Sequence, residues 1–277
     1  MQNVHSAWIQ LRAGAKLIRS AFIIVLAVTL VGCAPVAGHP AKAESVSSQT
    51  VESQLEQAYM AYLARDFETA YDLLAPLAES GNPDAQAQLG TMYLLGNRVQ
   101  KDPAKALELF RLAAAQNNAK AQLQIGGMYQ MGLGLPKDPG LAIAWAERAV
   151  AQGYGPAEAM LARTYEVGFG VEQNYGEAMR LFRLAAAKGQ FYGQAGVGRL
   201  YLRGQGSPRD LVEAYMWLTL ASRHDHPALA TMKQYVQTDI AASEREMTPA
   251  QRVEGQRRVD TWRPTIPCND IECHLLP

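Results

Sequence analysis

The sequence predicts an all-α protein, an α-solenoid of antiparallel helix pairs with 36-residue repeats, and three observations predict it. A tyrosine returns at that step, at Tyr93, Tyr129, Tyr165 and Tyr201, with no inserted residue between copies. Gly96, Gly132, Gly168 and Gly204 keep the same phase, as do Ala106, Ala142, Ala178 and Ala214 and the polar set Asp102, Asp138, Asn174 and Asp210. Within each copy the apolar residues recur at helical spacing. A unit this short cannot bury its apolar faces alone, whereas a stack of such units can, and the usual work of a stack is to hold or join other molecules.

The first 32 of the 277 residues read as a processing signal. Arg12, Lys16 and Arg19 form a basic start, and Ala21 to Val31 is a run of eleven almost wholly apolar residues. That length suits an export signal better than a membrane span, although a single-pass anchor remains an alternative. Leu30-Val31-Gly32-Cys33 resembles the lipobox of bacterial lipoproteins. The resemblance implies acylation of Cys33, which becomes the first mature residue. Ala34 after it, rather than aspartate, implies sorting to the outer membrane of a double-membrane bacterium. Two or more acyl chains hold a protein firmly, whereas one anchors weakly.

The leader contains three of the 26 basic residues and none of the 26 acidic ones, so the mature chain from Cys33 to Pro277 stands near −3. That balance argues against nucleic acid as the main partner. Residues 33–53 are rich in Pro, Gly, Ala and Ser and are expected to form a flexible tether.

Residues 54–227 are expected to form the repeat domain. A diverged first pair runs from near Val51 to Ala64 and from Phe67 to Ala78, with Leu55, Ala58, Tyr59 and Tyr62 sharing one face. Four regular units follow. Their A helices are expected at Pro83–Leu95, Ala119–Met131, Pro156–Val167 and Tyr192–Arg203. The B helices are expected at Pro103–Gln116, Pro139–Gln152, Tyr175–Lys188 and Leu211–Arg223. Asp102-Pro103 and Asp138-Pro139 are N-cap and first-turn signals, and Asn174 and Asp210 repeat the cap without proline.

Leu89, Ile125, Leu161 and Val197 are expected to face the core beside Gly90, Gly126, Ala162 and Gly198. Glycine inside a helix costs about 1 kcal/mol relative to alanine, so its return at one phase implies a neighbour too close for a side chain. Leu109, Trp145, Leu181 and Trp217 fill the spaces between. Gly96 and its copies suit a left-handed cap, with Val99, Leu135 and Val171 plugging the loop beneath. Gly134 and Gly170 lack the strand and lysine of a phosphate-binding loop.

Residues 228–264 are expected to be capping helices. Ala228 to Ser243 carries Leu229, Met232, Tyr235 and Val236 on one side. Thr248-Pro249-Ala250-Gln251 then reads as a capping box opening a helix to about Trp262. In the tail, 265–277, Cys268 and Cys273 are an even pair in an exported chain, for which a disulfide is expected. A zinc site drawing on His224, Asp225, His226, Cys268, Cys273 and His274 matches no compact module and is not expected; nor is any other metal or cofactor.

The pattern A-x-x-x-L-G-x-x-Y-x-x-G, then D-x-x-x-A and an alanine-rich end, resembles the Sel-one-like repeat, a relative of the tetratricopeptide repeat. Ala85, Leu89, Gly90, Tyr93, Gly96, Asp102, Ala106 and Ala113–Ala115 carry it in the first regular unit. The resemblance spans about Leu55 to Pro227. Gly193 replaces the usual alanine of helix A, and Asn117 the glycine ending helix B. It implies a right-handed superhelix that serves as a protein-interaction platform, with no catalytic residue to carry over.

Binding is expected on the inner curve of the A helices, where Gln88, Gln124 and Met160 share one phase and Met92, Met128 and Thr164 another. A groove of glutamine amides and methionines suits a peptide or a partner helix. Arg163, Arg199 and Arg203 make the third and fourth units locally basic, either drawing an acidic partner or an anionic cell-wall polymer, or pairing with nearby acids such as Glu158 and Glu166. No serine elbow, paired-carboxylate context or metal-protease motif is present, so no enzyme is expected. The leading expectation is a periplasmic adaptor anchored to the outer membrane that binds an envelope protein or peptide. Surface display toward another cell, or recognition of peptidoglycan or another polysaccharide, are the alternatives.

Overall fold

The structure is a computed structural model that describes residues 50–226 and 229–265. The described residues form α1 (Val51–Leu63), α2 (Phe67–Glu79), α3 (Pro83–Leu95), α4 (Pro103–Ala115), α5 (Ala119–Met131) and α6 (Pro139–Ala151). They continue as α7 (Gly155–Val167), α8 (Tyr175–Ala187), α9 (Phe191–Arg203), α10 (Leu211–Ser222), α11 (Ala230–Glu246) and α12 (Pro249–Thr261). From α1 to α11 consecutive helices pack as antiparallel pairs, each leaning on its predecessor, and α12 packs back on α10, which makes an all-α solenoid in the expected register.

Local chemistry fixes each unit. Asp102 accepts from the amides of Ala104 and Lys105, and Asp210 from those of Val212 and Glu213, while Asp138 and Asn174 each cap one amide three residues on. At the other end of the A–B loop the chain turns through left-handed glycines, Gly96, Gly132, Gly168 and Gly204, at φ 79, 72, 70 and 66°. The cap residue's own amide then donates to the carbonyl of the recurring tyrosine, from Asp102 to Tyr93 and in phase through Asp210 to Tyr201. Tyrosine, glycine and cap are thus one closed loop device. Asn117 ends α4 at φ 63°, a conformation that asparagine tolerates better than most non-glycine residues.

Packing explains the small residues within helices. A Cβ on Gly90 would lie 2.8 Å from the Phe110 ring, one on Gly126 2.9 Å from the Ala142 carbonyl, and one on Gly198 2.6 Å from Leu218. Gly193 is tighter still: its Cβ would fall 2.4 Å from the Ala186 amide nitrogen, and α9 packs on α8 more extensively than α7 does on α6. Leu109 and Leu181 are buried, while Trp145 and Trp217 are half-buried against the neighbouring cores, as are Val99 and Leu135 under their loops.

The cap departs from expectation in one respect. On α11 the buried side is Leu229, Val236 and Ser243 with half-buried Ile240, and Met232 and Tyr235 face outward. Residues spaced 7, 4 and 3 hold one face through four turns, whereas Met232 and Tyr235 sit beside it. The Thr248–Gln251 capping box opens α12 in both its bonds. Trp262 meets Trp217 edge-on at 6.1 Å, and Arg258 pairs with Glu213, which also accepts from Trp217 Nε1.

Candidate functional site: the A-helix face

Positions i, i+4, i+7 and i+11 of a helix lie along one face. On α3 these are Asp84, Gln88, Thr91 and Leu95; on α5, Lys120, Gln124, Gly127 and Met131. On α7 they are Pro156, Met160, Arg163 and Val167, and on α9 Tyr192, Gly196, Arg199 and Arg203. Contacts join these rows from helix to helix. Lys120 Nζ donates to Gln88 Oε1 at 2.8 Å and lies over the Tyr59 ring. Arg199 grips Glu166 through Nε and Nη2 at 3.0 and 2.8 Å, and Arg163 Nη1 reaches the same carboxylate at 2.8 Å.

The half of this face toward the A-helix N-termini holds a recess of about 850 Å³. It crosses three units: Val51, Leu55 and Tyr59 on α1, Asp84 and Gln88 on α3, Lys120 on α5, and Tyr154 before α7. Aromatic and aliphatic carbon therefore alternates with amide, ammonium and carboxylate groups.

The expected site residues divide accordingly. Gln88 lines the recess, and Gln124 and Met160 are half-buried on the face. Met92 and Met128 do not line a surface: both are 0% exposed, and Thr164 is buried with them. Each lies one residue past Thr91, Gly127 or Arg163, which turns it by about 100° from that part of the row into the helix pair, so they are core residues. Arg163 is 60% exposed, but Arg199 is only 19% exposed and is committed to Glu166. Burial opposes ionisation of Glu166, but the hydrogen bonds and charges of Arg199 and then Arg163 outweigh it and hold the carboxyl below the ordinary range. Cys33, Cys268 and Cys273 lie outside the described residues. Among the described residues no group of three or more His, Cys, Asp or Glu side chains is placed to hold a metal ion.

One feature of the site's support was overlooked in the sequence. Gln86, Gln122, Glu158 and Gln194 recur at 36 residues and all are buried. Each meets a residue just past its own B helix. Gln116 donates to Gln86 and to the Gly81 carbonyl, Gln152 donates to Gln122, Lys188 to Glu158 and the Gly153 carbonyl, and His224 Nε2 lies 3.1 Å from Gln194 Oε1. The same 36-residue step in both rows was the available signal. These pairs, each with its A-helix member buried, tie each A helix to its partner and so fix the face above. Burial, and secondarily the charge of Lys233, push the His224 imidazole below its ordinary pKa, so it is held neutral.

With this geometry in view, the comparison with protein families is decisive. The Sel1 repeat matches residues 83–118, 119–154, 155–190 and 192–226, about half of the chain. The chain belongs to the Sel1 repeat family. Those boundaries fall on the units described, each beginning at or next to an A helix. Among solved structures, a Sel1 repeat protein from Oxalobacter formigenes is similar at 29% identity and a TM-score of 0.60, over 76% of this chain and 86% of that one. A protective antigen present in uropathogenic Escherichia coli strains aligns at 26% identity and a TM-score of 0.45, over 78% of this chain; the alignment spans 53% of the antigen. No curated protein matches the sequence significantly. Sel1 membership carries a general role, a non-catalytic scaffold for protein–protein contacts.

Proposed function

We propose that this Sel1 repeat chain is an exported adaptor, held by a lipidated Cys33 at the outer membrane of a double-membrane bacterium, that presents its A-helix face to a partner polypeptide in the periplasm. The observation that carries the binding reading is the recess of about 850 Å³ across three successive units. Its lining mixes aromatic, aliphatic and amide groups, as peptide-binding grooves do. Stapled helices keep that lining ordered before binding, which lowers the ordering cost of association. The anchor reading rests on the lipobox-like Leu30–Cys33 segment and Ala34.

Proximity crosslinking in intact cells from a photoreactive residue at position 59 tests the binding reading. A discrete partner band, lost when Leu55 and Tyr154 are both changed to serine, is the expected result; no band above background refutes it. Cys33→Ser is expected to move the protein from the membrane to the soluble fraction, and unchanged fractionation would refute lipid anchoring.

A further inference from the structure

The C-terminal half of the A-helix face carries a second, distinct pattern. Leu95, Met131 and Val167 stand at one phase, and each is exposed, by 58, 63 and 49%. The next copy of that phase is Arg203, also exposed. One turn before them come Thr91, Gly127, Arg163 and Arg199. The face is thus apolar along α3, α5 and α7 and cationic over α7 and α9. Three arginines there, Arg163, Arg199 and Arg203, face the carboxylates of Glu166 and Asp239, and burial discourages Asp239 from ionising. Arg163 and Arg199 share the one carboxylate of Glu166, so three guanidinium groups face two carboxylates and the patch keeps a surplus of positive charge, with Arg163 largely exposed.

Gly127 is the second observation. It lies inside α5, where glycine is unfavourable relative to alanine. Unlike Gly90, Gly126, Gly193, Gly196 and Gly198, it has nothing within 4 Å of where a Cβ would stand. No contact within the described chain accounts for the missing side chain. The α5 backbone is therefore open to a close approach from outside.

We propose that this half of the face docks an acidic and apolar segment of the partner polypeptide. The segment crosses α5 against the Gly127 backbone, sets apolar side chains on Leu95, Met131 and Val167, and directs carboxylates to Arg163 and Arg203. This rests on the adaptor reading and gives its partner a chemistry. Charge complementarity selects the partner's sign, while the apolar row supplies contact area.

The test uses the purified mature protein and three fluorescein-labelled twelve-residue peptides, built from glutamate and leucine, lysine and leucine, or glutamate and serine. Fluorescence anisotropy is expected to show the glutamate–leucine peptide binding at least about tenfold more tightly than either other peptide, a difference typical of a single interface anchor. Arg163→Gln and Gly127→Leu should each weaken it by about tenfold, with helical circular dichroism unchanged. Gly127→Ala should raise Tm yet weaken binding, which separates a contact role from a folding role. Equal binding of the three peptides, or full binding by Arg163→Gln and Gly127→Leu, overturns the proposal. The same two variants carried into the crosslinking experiment separate the readings. A partner band that persists in them refutes this surface and leaves the adaptor standing; absence of any band in the parent chain refutes the adaptor.

Discussion

His224 stands where the first two units carry Gln116 and Gln152, and the substitution of an imidazole for an amide makes the last unit sensitive to pH. Its folded pKa lies below the ordinary histidine value of 6.5, so the unfolded chain binds the proton more readily. The stability at stake is therefore complete above about pH 6.5 and is lost as pH falls through the lower folded value. Its Nδ1 is buried with no hydrogen-bond partner among the described residues, so a second proton there finds no acceptor. His224→Gln, which rebuilds the amide pair of the earlier units, should flatten the decline in Tm between about pH 7 and about pH 5. An unchanged slope would show that other groups set it. Two glycines make a matched contrast. Gly193→Ala gains helix propensity but drives a methyl into the Ala186 backbone, and a net loss of about 1–2 kcal/mol is expected from overpacking. Gly127→Ala meets open space and should stabilise by about 0.5–1 kcal/mol. Chemical denaturation of the two variants reads both signs.

At the level of the helix pair, the buried polar rows decide how tightly A and B are held. In the third unit the pair is charged, Glu158 with Lys188, at 3 and 13% side-chain exposure. A charge left without its opposite in such a site costs about 3–5 kcal/mol, whereas a neutral pair of similar size does not carry that penalty. Glu158→Gln and Lys188→Gln should each destabilise strongly. The double variant reproduces the Gln86–Gln116 and Gln122–Gln152 pairs and should recover most of the loss. A double variant that loses the sum of the two single losses would show that the two residues act separately rather than as a pair.

Across the whole repeat array, stability is passed between neighbours, and the last pair depends on the cap. Leu218 and Ala221 are buried beneath α11, and Met216 and Leu220 of α10 pack against Val259 of α12, with Trp262 edge-on to Trp217. A chain ended after His226 keeps all four Sel1 matches but uncovers that apolar surface. It should have a lower denaturation midpoint, with amide exchange rising most in α9 and α10 and least in α3 and α4, as nearest-neighbour coupling requires. Uniformly faster exchange along the array would instead indicate a single cooperative core.

The fold of the repeat units was legible because each regular unit spells nearly the same local instructions: mostly aspartate or asparagine caps, left-handed glycines and an apolar row at helical spacing. Boundaries fell within about three residues of the expected ones because caps are local chemistry. The A-helix face was legible only in part. Gln88, Gln124 and Met160 were placed on it, whereas Met92, Met128 and Thr164 lie one phase inward. Periodicity alone gives a residue's angle around its helix but not which neighbour lies at that angle. The amide rows, the engagement of Arg199 with Glu166 and the empty space over Gly127 arise between residues about 30 or more positions apart or between a helix and solvent. Sequence by itself determined the helices, their order and their family; tertiary structure decided which polar groups are spent inside the stack and which remain for a partner, because burial depends on the distance between helices.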